Sequence, residues 1–184
     1  RDQMGIVYQY YGYQNVYNNA LPILTELGFT STNFIVSGEI DGENAWAQET
    51  GSPKAKLMCA DSMRNWANSG QEIGSHTVYH VRLAEVGPVV AQQQLMQSKD
   101  DLEQLLQRDI TSFCYPYGNH SAEAAEWVKA AGYRLAVTTE RGLAGTDDNP
   151  YTLPRVNILR STHLLHFLRK VLTQYENNKR AGKD

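Results

Sequence analysis

The stretch GYQNVYNNALPILTELGFTSTNFIVSG, residues Gly12–Gly38, decides the fold. Its first half carries apolar side chains at helical spacing, and Gly28 stands where such a helix would end. Its second half is rich in β-branched and aromatic residues and ends at Gly38, which predicts a strand. The apolar helical positions are Val16, Ala20, Ile23, Leu24 and Leu27. A helix that leads directly into a strand is half of the repeating unit of a parallel α/β protein.

The remainder of the chain repeats this alternation. Strands are predicted within MGIVYQYY, QEIGSH, ITSFCYPYG, RLAVTT and TLPRVNI, and residues 39–53 are predicted to form a loop. Further helices are expected around Met63, from Val89 to Gln107, and after the capping residues Ser121 and Ser161. This order indicates a parallel α/β architecture, either a barrel or a doubly wound sheet. In both, catalytic groups collect on loops at the carboxyl ends of the strands.

The composition predicts a single globular domain that spans residues 1–184. A net charge of −3 at pH 7 gives no basic surface for nucleic acid. No apolar run reaches the roughly 18 residues that a membrane-spanning helix needs. The two cysteines, Cys59 and Cys114, can form one disulfide or remain as two free thiols. Because the chain begins with Arg1, we expect a processed or trimmed N-terminus.

The segment EIGSHTVYH carries the strongest local signal for chemistry. His76 and His80 stand four residues apart, directly after a predicted strand. On a helical turn this spacing puts both imidazoles on one face, close enough to share a metal ion. Neutral imidazole is a good ligand for zinc and for several other divalent metals. The alternative is two unrelated polar residues on a loop, because an HxxxH pair is short and common.

The segment FCYPYGNHS carries a second signal. Tyr115, Pro116, Tyr117 and Gly118 predict a rigid aromatic turn directly after a strand. Flat rings of this kind can line a sugar-binding groove. The alternative is a packed corner between a strand and the following helix.

Taken together, these segments resemble the polysaccharide deacetylase family, also called the NodB homology domain or carbohydrate esterase family 4. The resemblance covers most of the chain in order, through GYQNVYNNALPILTELGFTSTNFIVSG, EIGSHTVYH, FCYPYG, GYRLAVTTERG and LPRVNI. It implies a distorted (β/α) barrel with fewer than eight full units, and a divalent metal, most often zinc, held by an Asp-His-His centre. It also implies hydrolysis of N- or O-acetyl groups on an acetylated polysaccharide or oligosaccharide, in the cell envelope or outside the cell.

The resemblance assigns roles to individual residues. His76 and His80 match the two metal histidines, and residues 116–118 match the third motif, which flanks the acetyl group. The arginine that opens that motif in many members would fall at Cys114 and is missing. Arg155 matches the last motif, but no histidine follows it where the family has its general acid.

The first motif departs most from the family. Where the family reads Thr-Phe-Asp-Asp-Gly, this chain reads YQYYG at residues 8–12. With Gly12 aligned, Tyr10 takes the position of the catalytic base and Tyr11 that of the metal carboxylate. A phenol with a pKa near ~10 is mostly protonated at neutral pH and is a poor general base. Tyr11 would have to ionise in order to bind a metal, so two histidines without the carboxylate should hold metal weakly.

Three interpretations follow from this departure. In the first, the chain is a deacetylase with a rearranged site, in which ionised Tyr11 or another carboxylate, such as Glu140 or Glu72, completes the metal shell. In the second, it is a catalytically inactive member that binds glycan or a partner protein on tyrosine surfaces. In the third, Tyr10 and Tyr11 are alterations in this particular copy of an otherwise intact enzyme. Loss of base, ligand and acid predicts weak or altered activity, whereas the retained histidines favour a hydrolase.

Overall fold

The computed structural model describes residues 6–7, 12–159 and 161–182. Its strands are β1 (Ile6–Val7), β2 (Ser31–Ile35), β3 (Glu72–Ser75), β4 (Ser112–Cys114), β5 (Leu135–Arg141) and β6 (Leu153–Arg155). Its helices are α1 (Gln14–Leu27), α2 (Ala47–Thr50), α3 (Ala60–Asn68), α4 (Pro88–Leu106), α5 (Ala122–Ala130), α6 (Leu164–Leu172) and α7 (Tyr175–Arg180). Strands and helices therefore alternate over most of the chain, as the sequence predicts.

The six strands form one parallel sheet whose spatial order is the order in the sequence. In a doubly wound sheet the order in which strands are added reverses part-way, whereas in a barrel each new strand is added on the same side of the preceding one. The order therefore favours the barrel. Among the described residues β6 does not pair with β1, so the barrel is open, and the register shifts between Val137 and Arg141 distort it further.

The two faces of the sheet bury different clusters. The outer face packs against the helices and holds most of the core, with Ile35, Ile73 and Phe113 among its members. The inner face holds a smaller cluster, made by Phe34, Cys114 and Val137, with Leu135 and Leu153 packed against it. Because side chains alternate along a strand, this inner cluster defines which residues point into the barrel.

Helix boundaries confirm some local predictions and correct others. Gly28 ends α1 in a left-handed conformation (φ 68°), and the hydroxyl oxygen of Ser121 accepts from Ala124 N at the start of α5. Ser161 was expected to cap the last long helix, and this prediction is wrong. Nδ1 of His163 accepts from the backbone of α6 instead, because the helix begins at Leu164.

Three further observations concern the sequence predictions. Residues 39–53, predicted to be a loop, include the short helix α2. Cys59 and Cys114 are both free thiols, and Cys114 is buried. Within the described ranges, each helix is too short or too polar to cross a bilayer.

Candidate active site

The loop after β3 carries both histidines and is held in place by hydrogen bonds. The backbone N of His76 donates to Ile35 O at 2.9 Å, which extends the pairing of β3 with β2. Farther along, the side-chain oxygen of Gln94 on α4 accepts from Val78 N at 3.1 Å and from Tyr79 N at 3.0 Å. Gln94 is itself buried. The loop is thus fixed against the sheet on one side and against a helix on the other.

The rings of His76 and His80 meet edge to face with their centroids 4.8 Å apart. Both residues are buried, with 0% and 4% of their surface exposed. The two rings are close, although the segment is a loop and not the helical turn on which this spacing would place them on one face. His80 and Thr77 adopt left-handed backbone, with φ of 57° and 67°. Such backbone is uncommon outside glycine, above all for a β-branched residue, and it clusters at functional sites.

Hydrogen bonding and burial determine the chemical form of the two imidazoles. Nδ1 of His76 lies 2.6 Å from the carbonyl oxygen of Cys114, so Nδ1 carries the proton and donates. Burial lowers the pKa of His76 well below its usual value, and the charges of His80 and Arg155 lower it further. Burial first, and the charge of Arg82 second, lower the pKa of His80 to about 4. Both imidazoles are therefore neutral at pH 7, which is the form that binds metal.

Aromatic rings enclose His80 on two sides. The indole of Trp46 stacks on it at 4.4 Å between centroids, with 20° between the planes. The ring of Tyr117 approaches edge to face at 4.6 Å. Tyr117 is fixed in turn, because the Arg82 guanidinium lies 3.9 Å over its ring and its hydroxyl donates to Glu49 at 3.1 Å.

Trp46 is the member of this group that the sequence analysis missed. It lies between the short 3-10 turn after β2 and helix α2, within a segment whose polar and glycine residues predicted only a loop. The available signal was the tryptophan itself, since a large aromatic ring in a polar loop is usually packed against something. Its 7% exposure shows that it forms a wall of the site rather than an open platform.

The third motif divides between the site and the core. The ring of Tyr115 is fully buried among core side chains and its hydroxyl donates to a backbone carbonyl, which argues against the stacking role predicted for it. Pro116 is also buried, whereas Tyr117, with left-handed backbone (φ 58°), faces His80. Gly118 has φ +70°, and a Cβ there would lie 1.9 Å from the Thr139 hydroxyl oxygen. The turn therefore requires glycine at this position.

The structure separates the two carboxylates suggested as substitute ligands from the histidines. Glu72 stands at the amino end of β3, whereas His76 follows its carboxyl end, and both carboxylate oxygens of Glu72 accept from hydroxyl groups. Glu140 lies 3.5 Å from Nε2 of His120 and 3.5 Å from the Arg180 guanidinium. Neither carboxylate is brought to the histidine pair.

The fit of these residues to a metal ion is partial. The tautomer of His76 and the neutral state of His80 suit zinc, and a carbonyl bond to the second ring nitrogen is the usual way to orient such a ligand. Over residues 6–7, 12–159 and 161–182, no set of three histidine, cysteine or carboxylate side chains could hold an ion. Tyr10 and Tyr11, the first-motif candidates, lie outside the described residues.

Comparison with known proteins places this chain in one family. The model of the polysaccharide deacetylase family matches residues 9–136, well over half of the chain. The chain belongs to the polysaccharide deacetylase family. The match begins within the altered first motif and ends inside β5, so it includes the histidine loop and the third motif.

Individual relatives agree with this assignment. The chain is 29% identical to YxkH of Bacillus subtilis over 147 residues, which cover 80% of the chain and 48% of YxkH. It is 23% identical to a poly-beta-1,6-N-acetyl-D-glucosamine N-deacetylase of Staphylococcus aureus over 152 residues, covering 79% of the chain and 51% of that protein. The chain thus spans about half the length of the curated relatives it matches.

Among solved structures, the chain is similar to the Streptococcus pyogenes deacetylase PplD in complex with acetate. The two superpose with a TM-score of 0.75 and 26% identity, over 87% of this chain and 66% of PplD. The open sheet and its helices match this fold, so the predicted distorted (β/α) barrel is confirmed.

Proposed function

We propose that this chain removes acetyl groups from carbohydrate by metal-assisted hydrolysis, with an activity lowered by tyrosine at two positions of the first motif. The observation that carries the proposal is the pair His76 and His80, buried and neutral, with centroids 4.8 Å apart at the carboxyl edge of the sheet. Family membership and the name of the Staphylococcus aureus relative support an acetylated polysaccharide as the substrate class.

The chain's own residues would divide the work as follows. His76 and His80 would hold a divalent metal, zinc by the family resemblance, and Tyr11 stands where the family places the carboxylate ligand. When bound, such a metal supplies polarisation of the acetyl carbonyl and acidification of a water. The Cys114 carbonyl keeps His76 in the tautomer that offers Nε2. Trp46 and Tyr117 exclude water from around His80 and orient its ring.

Low activity follows from the proton chemistry at Tyr10. A general base accelerates a reaction by about 10²–10⁴-fold when its pKa is close to the working pH. The pKa of a phenol, near ~10, is too high for this role at neutral pH. Tyr11 weakens the metal site at the same time, because its phenol must lose a proton before it can bind. We therefore propose that both metal affinity and turnover are below those of members with two aspartates.

A second candidate function is glycan or protein binding without catalysis. The observation that favours it is the exposure of two tyrosines: Tyr117, which packs against His80, is partly exposed, and Tyr79 on the histidine loop is 64% exposed. Aromatic rings stack on the apolar faces of sugars, and this interaction needs no metal. In this case the barrel would serve as a scaffold for recognition.

One experiment distinguishes these functions. Purified protein is assayed for bound zinc and for acetate release from acetylated chitooligosaccharides, beside a Tyr10→Asp/Tyr11→Asp variant. The proposal expects sub-stoichiometric zinc and slow release from the parent, and a gain of about a hundredfold or more in the variant, in line with the worth of a general base. Tyr8→Asp, which adds one carboxylate to the same stretch, is the control and should gain nothing.

Other results would decide against the proposal. Glycan binding by the parent without zinc or acetate release would favour the binding function. A double variant that binds no zinc would reject His76 and His80 as ligands. Replacing His80 with alanine in the double variant should abolish both zinc and activity, and activity that survives this change would locate the metal elsewhere.

We also propose that residues 1–184 form a single domain that works in the cell envelope or outside the cell. The support is the substrate class, since acetylated polysaccharides are envelope and extracellular polymers. Protease digestion should leave the described barrel as one resistant fragment, and fractionation of the source cells should find the protein outside the cytoplasm.

A further inference from the structure

Helix α6 turns its apolar face away from the protein. Four leucines of the helix, spaced so that they share one side of it, are exposed, and so are two aliphatic residues just before it. These six residues, called the aliphatic face below, are Ile158 (40% exposed), Leu159 (57%), Leu164 (70%), Leu165 (75%), Leu168 (38%) and Leu172 (70%). An ordinary surface helix buries its apolar side against the core and exposes its charged side. The arrangement in α6 is the reverse.

The side of α6 that contacts the protein is held by a buried ion pair. Nζ of the buried Lys170 lies 3.2 Å from Glu176 on α7 and donates to the carbonyl oxygen of Asn157 at 2.6 Å. Glu176 also accepts from Nε of Arg141 at 2.7 Å, which ties the pair to β5. A rotation of the helix that buried the leucines would withdraw Lys170 and leave the buried carboxylate without one of its two cations. The fold therefore keeps the aliphatic face directed outward.

The segment that carries the aliphatic face is positively charged. From residue 156 to residue 175 the sequence has three basic residues and no acidic one, although the net charge of the chain is −3. Lys170 is neutralised by Glu176, so Arg160 and Arg169 supply the remaining positive charge. Arg169 is exposed, its Cζ lies 4.1 Å from the centroid of the Tyr175 ring, and it forms no ion pair within the described ranges. The partner of this face should therefore be apolar and bear negative charge at its edge.

We propose that the aliphatic face docks on a membrane surface, where α6 lies in the interface of a bilayer that contains anionic lipids. An amphipathic helix with leucines on one side and basic residues beside them binds bilayers in this way, with its apolar side among the acyl chains. Anionic headgroups complement Arg160 and Arg169, and each basic residue near such a surface raises the affinity by about fivefold.

Two other occupants fit the aliphatic face less well. A second copy of the chain would bring the same positive charges to the face, and like charges across an interface oppose association. A partner protein is bound mainly through tryptophan, tyrosine and arginine at the centre of an interface, with leucine under-represented. The aliphatic face consists of leucine and isoleucine alone, which suits acyl chains better than the patterned surface of a protein.

The test measures sedimentation of the purified protein with sucrose-loaded vesicles. One set of vesicles contains phosphatidylcholine alone, and the other contains equal parts of phosphatidylcholine and the anionic lipid phosphatidylglycerol. We expect binding to the anionic vesicles at low ionic strength, and binding at least about tenfold weaker to phosphatidylcholine alone, because two basic residues each contribute about fivefold. Added salt should reduce the difference between the two sets, since it screens the attraction between exposed charges.

Three variants define the docking surface. Leu164→Gln/Leu165→Gln/Leu172→Gln should weaken binding to both sets of vesicles by at least about tenfold, because it removes apolar area that enters the bilayer. Arg169→Gln should weaken binding to the anionic vesicles by about fivefold and leave binding to phosphatidylcholine unchanged. The matched control is Val89→Gln/Val90→Gln/Met96→Gln, which removes three exposed apolar side chains from α4 and should bind as the parent does. Glutamine forms helices nearly as well as leucine, and circular dichroism establishes that each variant is folded.

Three outcomes would overturn the proposal. The first is a parent protein that does not sediment with anionic vesicles, and the second is equal loss of binding in the α6 leucine variant and the α4 control. The third is a parent that forms dimers without lipid, by sedimentation equilibrium, and an α6 leucine variant that is monomeric, together with no binding to vesicles. That result would assign the aliphatic face to a second copy of the chain. None of these measurements depends on bound zinc or on acetate release, so they are independent of the proposed function.

Discussion

Acidification should destabilise the metal-free protein through His80, and the size of the effect follows from its surroundings. Burial among Trp46, Tyr117 and His76 lowers the pKa of His80 from 6.5 to about 4. As the pH falls, His80 of the unfolded chain binds a proton at about pH 6.5, whereas His80 of the folded protein binds it only at about pH 4. Each tenfold difference in proton affinity is worth about 1.4 kcal/mol, so this one residue removes about 3 kcal/mol of stability.

The sign and the pH window are both testable. The contribution of His80 to stability is fully present above about pH 6.5, declines with falling pH and is gone below about pH 4. His76, whose pKa is also lowered by burial, adds a further loss of the same sign. The free energy of unfolding is measured by urea titration at steps between pH 8 and pH 4, on protein freed of metal.

His80→Asn is the informative variant, because asparagine tolerates the left-handed backbone (φ 57°) at this position and does not titrate. Between pH 6.5 and pH 4 its stability should fall less steeply than that of the parent, by about 1.4 kcal/mol per pH unit for one proton. His163→Asn replaces an exposed histidine at the start of α6 and serves as the matched control. Equal slopes for the parent and His80→Asn would refute the reasoning.

Three further predictions concern stability and the site. Glu176→Gln should lower the free energy of unfolding, measured by urea titration, by about 3 kcal/mol. The reason is that Glu176 (1% exposed) pairs with the nearly buried Lys170 at 3.2 Å, and the substitution leaves the lysine charge without this partner. An unchanged urea midpoint would show that the pair is dispensable. Gly118→Ala should lower the stability by more than the roughly 1–2 kcal/mol that left-handed backbone costs a residue with a Cβ, because that Cβ would also clash with Thr139. Gly28→Ala, with φ +68° and open space around it, should lower the stability by the backbone cost only. Equal losses of stability in thermal unfolding would contradict the clash. Trp46→Leu should raise the pKa of His80 towards its usual value, because it exposes the imidazole ring. The pKa is measured from the chemical shifts of the imidazole protons in an NMR pH titration. An unchanged pKa of His80 in the variant would exclude the indole as the cause of its burial.

The parts of the fold that could be predicted from the sequence depend on contacts between near neighbours. Gly28 ends α1 because its own backbone adopts a conformation that other residues resist, and Ser121 caps α5 through a bond to Ala124, three residues away. The same reasoning failed at Ser161. Two further residues that can accept a hydrogen bond follow Ser161 in the sequence, and the second of them, His163, caps the helix. Local signals thus locate a helix well but do not decide between adjacent caps.

The geometry of the candidate site depends on distant contacts, and the sequence could not supply it. The histidine loop is shaped by Gln94, which is 14 residues beyond His80 in the sequence and bonds to the loop backbone. Trp46 reaches His80 from a segment more than 30 residues earlier. The HxxxH spacing predicted closeness of the rings correctly for the wrong reason, because no property of those five residues reveals a left-handed loop.

The bond between His76 and the Cys114 carbonyl has a consequence for how such a site can change over evolution. It ties β3 to β4 inside the protein, and the packing of His80 against Trp46 closes the same layer, so both histidines contribute to folding as well as to any chemistry. A lineage that lost its aspartates would still be selected to keep these two imidazoles, for stability alone. The metal-binding half of an enzyme would then persist in a protein with no turnover, and a return to catalysis would require no change at these two histidines.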